Sequence, residues 1–439
     1  MTAASSSADL MLHQLAHRKQ GHALPGDFYR DEAFYQLDLD NLFHREWIFA
    51  GHDCEIPKAG DFFTLQLGQY PLIVARAADG KIYAHHNTCR HRGFKVCDVA
   101  HGSAKRLVCP YHQWSYEPDG RLVRARAMEQ EDFNAAEYGL KPAHAESAGG
   151  YIFVSVADTP PDFAAIREMV TPYFAPFDVP NAKVAFESTI IEEGNWKLVL
   201  ENNRECYHCA GSHPELCRTF PEAPSFMRTT TDQGEGVIEK FWKAREAEGL
   251  PSRFRIADNG QYRVSRIPLM DSGRSFTMNG KPAVSKLMGR VPHSDLGTLM
   301  FFHFPSTWNH FLGDMAISFR VLPVGPKRTE VRTKWMVNKD AVEGVDYDLK
   351  TLTEVWIATN NQDRTLVERN QRGIDSPAYE PGPYSLDYED GVLQFIDWYT
   401  TTMTARLGGG TGLADRSSSL AALLRENLHL KGNPADGRH

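Results

Sequence analysis

The sequence predicts an α+β fold that joins a small antiparallel β domain to a larger domain with an antiparallel sheet flanked by helices. Short strands and tight turns dominate the first third of the chain, whereas helical spacing of apolar residues returns beyond residue 160. A length of 439 residues suits two domains, and 42% apolar residues can fill their cores.

Residues 1–44 predict an N-terminal tail and a helix that packs on the larger domain. The first 25 or so residues are polar, and we expect them to be mobile. Residues 35–48 then space their apolar side chains as a helix does.

Residues 45–155 predict the small β domain. Strand-like segments begin at Phe62, Leu72 and Lys81, and the domain closes with a strand from Tyr151. Asp79-Gly80 supplies a tight hairpin turn between two of these strands.

Residues 156–439 predict the larger domain. Asn195 can cap a helix that runs to Cys209, with Gly211 as its stop. From about Thr411 we expect an amphipathic helix with a frayed end. The predicted strands of this domain are Lys183–Glu192, Thr298–Phe304, Met315–Leu322 and Thr329–Val337.

Composition excludes several classes of protein. The net charge of −8 argues against a general nucleic-acid surface. No apolar run approaches the roughly 18 residues of a membrane span, and the first 25 residues lack an apolar signal core. We therefore expect a cytoplasmic protein without a membrane segment, and seven Cys do not suggest a disulfide framework.

Two Cys/His pairs give the small domain its chemistry. Cys89-x-His91 and Cys109-x-x-His112 are separated by seventeen residues. Both zinc and a two-iron, two-sulfur cluster accept two thiolates and two imidazoles. One Cys and one His from each of two loops favours the cluster over zinc.

A second group of polar residues lies on the helix predicted from Asn195. Glu201, Glu205 and His208 have the spacing of one helix face, and His213 follows just past the helix end. Two imidazoles and an acid can meet there and hold a metal. A lone His would more simply be a hydrogen-bonded core residue.

Cys206 and Cys209 in the same segment leave zinc as an alternative, although no second Cys pair completes such a site.

Asp363 is a further acid in an unexpected place. It lies on the inward face of a predicted helix, and an acid on a largely apolar face is expensive unless it meets a cation. Glu205 is the alternative third ligand of the metal. The inward stripe comprises Leu349, Leu352, Trp356, Thr359, Asp363, Val367 and Asn370.

The first motif resembles that of the Rieske non-haem iron oxygenases. The resemblance implies a 2Fe-2S cluster in which Cys89 and Cys109 hold one iron and His91 and His112 the other. Respiratory Rieske proteins carry an additional Cys where this chain has Tyr111, so the resemblance is to the oxygenase α subunits.

The second motif, from Glu201 to Pro214, resembles the mononuclear iron motif of the same family. The resemblance implies a non-haem Fe(II) held by His208, His213 and Asp363. It also gives Glu205 a role: in the family an acid at this position, commonly Asp, hydrogen-bonds a cluster His across a subunit boundary. A homotrimer follows from this role.

The resemblance implies an oxidoreductase that activates dioxygen. No strand is followed by Gly-x-Gly-x-x-Gly, so we expect nicotinamide and flavin to reside on a separate ferredoxin-containing NAD(P)H reductase. The chain is most similar to the branch that acts on quaternary ammonium compounds. This similarity implies hydroxylation of an N-methyl group, which would convert glycine betaine to dimethylglycine and formaldehyde.

Aromatic faces would hold the trimethylammonium group. The candidates are Phe301, Phe302, Phe304, Trp308 and Phe311, although aromatic residues in strands more often belong to a core.

Other functions stay open at this stage. Proline betaine, choline and carnitine are alternative substrates, and an aromatic ring or aryl ether is an alternative of another kind. A Rieske electron-transfer protein is the alternative outside the oxygenases. It has no need of His208, His213 or a buried Asp363.

Overall fold

The structure is a computed structural model that describes residues 3–128, 130–222, 227–231 and 234–408. It confirms the predicted α+β class. The chain forms two compact units: the smaller comprises Leu42–Phe174 and Asp178–Lys183, and the larger contains most of the remainder. The helix predicted from Thr411 lies outside the described residues.

The smaller unit contains antiparallel sheets, as predicted. One sheet has the order β1, β10, β9, β4, β3, β2, β5, and a second has the order β6, β7, β8. The strands are β1 (Ile48–His52), β2 (Asp61–Leu67), β3 (Tyr70–Arg76), β4 (Ile82–His86), β5 (His101–Ser103), β6 (Leu107–Val108), β7 (Ser115–Tyr116), β8 (Leu122–Arg124), β9 (Pro142–Ala148) and β10 (Tyr151–Ser155).

The turn between β3 and β4 forms as the sequence indicates. Gly80 adopts a φ of 81°, which favours glycine, and the Asp79 side chain accepts the Lys81 N–H.

The larger unit is built on one sheet with the order β11, β19, β18, β17, β16, β15, β14, antiparallel from β14 to β19. Its strands, with those of a separate β12–β13 hairpin, are β11 (Ala182–Glu192), β12 (Thr230–Thr231), β13 (Gly234–Glu235), β14 (Arg255–Ile256), β15 (Tyr262–Ile267), β16 (Thr298–His303), β17 (Thr307–Phe311), β18 (Ala316–Gly325) and β19 (Arg328–Asn338).

Helix α8 supplies most of the predicted inward stripe: Leu352, Trp356, Thr359 and Val367 are buried, and Leu349 and Asp363 are half-buried. The prediction is wrong for Asn370, which is exposed. No helix of the described ranges is long and apolar enough to cross a membrane. The α-helices are α1 (Ala3–His17), α2 (Asp27–Arg30), α3 (Glu32–Asp38), α4 (Ala164–Phe174), α5 (Trp196–Asn203), α6 (Cys209–Ser212), α7 (Val237–Ala247), α8 (Leu349–Ile374) and α9 (Asp390–Arg406).

The prediction of a mobile N-terminus is wrong for the residues of α1. Met11 and Leu15 are four residues apart, so they share one face of this helix, and both are buried. These two side chains, together with a hydrogen bond of 2.7 Å from Gln14 Nε2 to Asp27, anchor the helix.

A buried ion pair holds helix α5, which leads to the candidate metal site. The Lys197 ammonium pairs with Asp38 and donates to the Phe28 carbonyl at 2.8 Å. Asp38 also accepts from Trp196 Nε1 at 3.1 Å and from the Tyr399 hydroxyl at 2.7 Å. Both charges are fully buried, so each depends on the other.

Lys197→Met should therefore lower the free energy of unfolding by about 3–5 kcal/mol, because it leaves Asp38 buried without its cation. The measurement is denaturant unfolding followed by fluorescence. Arg328→Met is the matched control, since the Arg328–Glu193 pair is more than half exposed and should be worth less than about 1 kcal/mol. Equal losses in the two variants would contradict the analysis.

Candidate metal centres

Two loops of the smaller unit carry the predicted cluster ligands, one Cys and one His on each loop. The two loops form the same backbone turn. In one loop the Cys89 N–H bonds the Phe94 carbonyl and the Cys89 carbonyl accepts from Gly93, at 2.8 and 2.9 Å. In the other, Cys109 makes the same bonds with Trp114 and Gln113 at the same lengths. Gly93 and Gln113 both have a positive φ, so the two loops are closely alike.

The Cys and His side chains of these loops differ in burial. Cys89 and Cys109 are buried, while His91 and His112 are half-buried with ring centroids 4.6 Å apart. The Tyr116 hydroxyl lies 3.3 Å from the Cys89 sulfur. Burial and the neighbouring Cys89 raise the pKa of Cys109, so the thiolates need positive ions beside them. The donor set fits a cluster with two iron ions.

The larger unit brings His208, His213 and Asp363 together. The two Nε2 atoms are 3.0 Å apart, and Asp363 Oδ1 lies 3.0 Å from His213 Nε2 and 3.4 Å from His208 Nε2. His208 and His213 flank α6, and Asp363 comes from the middle of α8. Three ligand-type atoms from two segments thus meet at one point.

Hydrogen bonds to the Nδ1 atoms of both imidazoles fix the direction in which the Nε2 atoms point. His208 Nδ1 contacts Glu205 Oε1 at 2.5 Å, and His213 Nδ1 contacts Gln362 Oε1 at 2.8 Å. When each Nδ1 donates its proton, each Nε2 turns a lone pair toward the Asp363 carboxylate. Three acceptors then converge without a proton, so the arrangement fits a divalent cation such as Fe(II).

A proton is the simplest positive charge that these groups attract. Burial disfavours the charged form of His208, but its bonds to Asp363 and Glu205 outweigh burial and raise its pKa to about 9. Burial alone would raise the pKa of Asp363, but the two imidazoles outweigh burial and lower it. The carboxylates thus attract positive charge to the point where the three ligand atoms meet.

The predicted helix from Asn195 to Cys209 is wrong beyond Asn203. Glu205 Oε2 accepts the backbone N–H groups of Tyr207 and His208, and these bonds replace helical ones. Glu205 and His208 are therefore brought together by a turn and not by a helix face.

Glu201 and the two cysteines also differ from expectation. Glu201 accepts from the hydroxyls of Tyr29 at 2.8 Å and Tyr384 at 2.9 Å and takes no part in the triad. Cys206 and Cys209 form a disulfide, which argues against the zinc alternative and was not expected from the cysteine count.

An aromatic cluster lies on the face of α8 that carries Asp363. Trp356, two turns before Asp363, has its ring 4.9 Å from His310, 4.8 Å from Phe319 and 5.8 Å from Phe276. Burial lowers the pKa of His310 to about 3, so its ring is neutral. The cluster is uncharged, and it is connected to the candidate metal site through α8, which carries both Trp356 and Asp363.

The strand register shows on which face of the sheet the aromatic residues predicted to hold the trimethylammonium group lie. Phe302 pairs with Trp308 and Trp308 with Phe319, so these three side chains share one face of the sheet, and Trp308 stacks on Phe319 at 4.9 Å. Phe301 and Phe311 point to the opposite face. Phe304 packs on Phe395 and Trp398 of α9.

A cleft of about 430 Å³ opens beside Glu205 and His208. Glu201 and Glu389 also line it. Burial raises the pKa of Glu201 to about 7 in spite of its tyrosine partners and Lys197. The cleft is acidic, and the tyrosines on its walls are Tyr29, Tyr379 and Tyr384.

Comparison with known proteins identifies the family. Residues 46–142 match the Rieske [2Fe-2S] domain, and residues 181–405 match the catalytic domain of the ring hydroxylating alpha subunit. The chain belongs to the Rieske non-haem iron oxygenases.

The similarity to individual proteins extends over most of this oxygenase. The glycine betaine monooxygenase oxygenase subunit of Pseudomonas aeruginosa (strain UCBPP-PA14) is 50% identical over 90% of the chain and 92% of its own. The subunit of that name from Chromohalobacter salexigens is 47% identical over 92% and 91%.

A solved structure, a quaternary ammonium Rieske monooxygenase in complex with L-carnitine, shares the fold with a TM-score of 0.65. It is 20% identical, and the match covers 89% of this chain and 98% of that one.

The family settles the class and its cofactors as predicted. The protein is an oxidoreductase of the oxygenase type, with a Rieske 2Fe-2S cluster and a mononuclear non-haem iron. The alternative of a plain electron-transfer protein is wrong.

Sequence reasoning missed Gln362, which adjoins Asp363, and the aromatic residues Phe276, His310 and Phe319. Strand pairing could have singled out His310 and Phe319, whereas Phe276 lies in an irregular segment and is recognised only by its contacts with Trp356 and His310.

Proposed function

We propose that the protein is the oxygenase subunit of a monooxygenase that removes an N-methyl group from glycine betaine. The observation that carries the proposal is the identity of 50% with a glycine betaine monooxygenase oxygenase subunit along nearly the whole chain. The domains we assign are 1–44, an N-terminal segment on the catalytic domain; 45–155, the iron-sulfur domain; and 156–439, the catalytic domain.

The proposed ligands follow from the two donor sets. Cys89, Cys109, His91 and His112 would hold the cluster, and His208, His213 and Asp363 would hold the mononuclear iron. The convergence of two imidazole nitrogens and one carboxylate oxygen within 3.4 Å supports the second assignment. When bound, this iron supplies the activation of dioxygen.

The overall reaction consumes dioxygen, two electrons and two protons, and gives water and a hydroxymethyl group on the quaternary nitrogen. That group then releases formaldehyde and a proton, and the nitrogen keeps the electron pair of the broken C–N bond as dimethylglycine. A quaternary nitrogen has no lone pair to oxidise, so attack falls on a methyl C–H bond.

The aromatic cluster suits the cationic end of this substrate. Trp356, two turns before Asp363 on α8, contacts Phe319 and the neutral His310, and Phe319 stacks on Trp308. A cation over such faces gains about 0.5–2 kcal/mol per contact, depending on desolvation. A protonated His310 would repel it, and the low pKa of that ring prevents this.

Arg204 suits the carboxylate end. Its guanidinium carbon lies 3.8 Å from the ring centroid of Phe302, which is one strand away from Trp308. Arg204 is buried, and among the described residues only Gln394 Oε1, at 3.2 Å from Nη2, accepts from it, so Nε and Nη1 lack acceptors. A buried cation with unused donors calls for an anion, and a carboxylate can accept two of its N–H groups.

The surroundings of Arg204 strengthen this assignment. Arg263 also lies over Phe302, at 5.4 Å, and pairs with Asp390 at 3.4 Å. Arg263 is half-buried and pairs with Asp390, whereas Arg204 has no carboxylate partner among the described residues, which leaves a positive charge beside Phe302.

We further propose that Glu205 links the iron to the cluster of a second copy in a homotrimer. Glu205 bonds His208 and lines the acidic cleft. The loops beside the cluster ligands expose Phe94 and Tyr111, with Arg92 5.4 Å from the Tyr111 ring. Basic and aromatic loops complement an acidic cleft walled by tyrosines.

Electrons would come from a separate flavin- and ferredoxin-containing NAD(P)H reductase. We therefore propose a cytoplasmic enzyme, since reduced nicotinamide is available there.

The purified chain with such a reductase, NADH and dioxygen should release one formaldehyde per glycine betaine consumed. Asp363→Ala is the matched variant: it should lose about one iron per chain and all turnover, because a ligand is removed, while the Rieske absorbance persists. Iron analysis and formaldehyde assay check both points. Turnover of an aromatic acid, with no turnover of any betaine, choline or carnitine, would contradict the proposed substrate class.

Arg204→Gln should lower kcat/KM for glycine betaine by about 10- to 100-fold, as expected for loss of a charge-assisted bond worth about 1.5–3 kcal/mol. Choline has the same cation and no carboxylate, so its kcat/KM should stay unchanged. Arg204→Lys should restore part of the loss, and Arg253→Gln, which removes an exposed arginine, should have no effect. An equal loss for both substrates would make Arg204 a purely structural residue.

A further inference from the structure

The disulfide between Cys206 and Cys209 is a feature that the proposed reaction does not use. The two residues between the cysteines are Tyr207 and His208, so the disulfide closes a short ring around a proposed iron ligand. Cys206 is half-buried and Cys209 is buried.

Cys209 also lies close to both imidazole ligands. Its sulfur, one ring nitrogen of His208 and one ring nitrogen of His213 all lie within 4.8 Å of one another. The Cys209 carbonyl accepts the His213 N–H at 2.8 Å, which fixes the sulfur and that imidazole in one turn. The sulfur therefore lies near the proposed metal position.

The oxidation state of this sulfur decides whether it can bind a metal. A sulfur in a disulfide carries no charge and is a poor ligand, whereas a thiolate is a strong, soft ligand that favours zinc over metals suited to oxygen donors. The triad of His208, His213 and Asp363 leaves coordination positions open, and dioxygen activation requires at least one of them.

We propose that Cys206 and Cys209 form a redox pair that controls access to the mononuclear metal. In the disulfide the Cys209 sulfur is kept off the metal and a coordination position stays open. After reduction the Cys209 thiolate binds the metal and fills that position. This inference rests on the proposed ligands His208, His213 and Asp363.

Reduction requires a dithiol. Its thiolate attacks the more exposed Cys206 sulfur, the bond between Cys206 and Cys209 breaks, and Cys209 leaves as a thiolate. The second thiol of the reductant then displaces Cys206, so the dithiol becomes a disulfide and its two electrons reside on the cysteines. Oxidation by hydrogen peroxide reverses the change: two thiols and one peroxide give the disulfide and two waters.

The direction of control suits an enzyme that consumes dioxygen. Because the cytoplasm keeps most thiols reduced, the coordination position opens only while an oxidant such as hydrogen peroxide maintains the disulfide. Reducing conditions without dioxygen close it with a sulfur ligand.

The test uses the full chain with its cluster intact and Zn²⁺ loaded at the mononuclear site. X-ray absorption at the zinc edge reports the neighbours of zinc alone. Protein oxidised in air should show only nitrogen and oxygen neighbours. Protein reduced with a phosphine, which adds no thiol, should gain a sulfur neighbour at about 2.3 Å and bind zinc at least tenfold more tightly.

Three variants separate the cysteines. Cys206→Ser leaves Cys209 as a permanent thiol and should show the sulfur neighbour in both states, whereas Cys209→Ser should show it in neither. Cys217→Ser, which removes another half-buried thiol of the same segment, should behave as the wild type.

Zinc bound without sulfur in both states, in the wild type and in Cys206→Ser, would overturn the redox inference and leave the metal ligands standing. Failure of the site to bind zinc in either state would overturn the ligand assignment as well.

Discussion

The larger unit depends on the meeting of His208 Nε2, His213 Nε2 and Asp363 Oδ1 within 3.4 Å of one another. Three acceptors at one point repel unless a cation lies between them. Glu205 and Gln362 accept hydrogen bonds from the Nδ1 atoms of His208 and His213. These bonds direct the Nε2 lone pairs of both imidazoles toward the same point. The geometry of the proposed iron site thus depends on the hydrogen bonds that Glu205 and Gln362 make to the ligand imidazoles.

The rest of the unit can be understood as support for that point. Helix α8 carries both Asp363 and Gln362, and its apolar stripe packs it on the sheet. The buried Asp38–Lys197 pair fixes α5, and the turn that follows α5 carries Glu205 and His208. Because the turn is held by side chain to backbone bonds, the acid and the imidazole keep their contact without a continuous helix.

Much of this could be predicted from the sequence, because strand alternation and the α8 stripe are local patterns. The ligand motifs could be picked out because Cys and His at fixed spacing are rare by chance. The helix expected to reach Cys209 failed at Asn203, since Glu205 offers its carboxylate to the backbone in competition with the helix. Helix α1 was missed because its buried face, with Met11 and Leu15, is short, and because the Gln14–Asp27 hydrogen bond joins it to a later segment.

Arg204 and the Trp356 cluster could not be predicted, because both depend on contacts between segments far apart in sequence. That Nε and Nη1 of Arg204 lack acceptors can be recognised only from its surroundings in the fold, which include Phe302 and Gln394. Similarly, the five candidate aromatics could be sorted only by the register of β16, β17 and β18. Local sequence patterns therefore indicate the metal ligands, whereas the residues proposed to bind the substrate can be recognised only in the tertiary structure.

The central claim is that Glu205 connects the iron site to a cluster, and single-turnover kinetics of Glu205→Gln test it most directly. Gln keeps an oxygen that accepts from His208 Nδ1, so we expect both metal centres to remain, as iron analysis can verify. Reduced protein mixed with dioxygen and glycine betaine should then reoxidise its cluster about 10- to 100-fold more slowly than the wild type. Cluster reoxidation at the wild-type rate, with full iron content, would contradict the account.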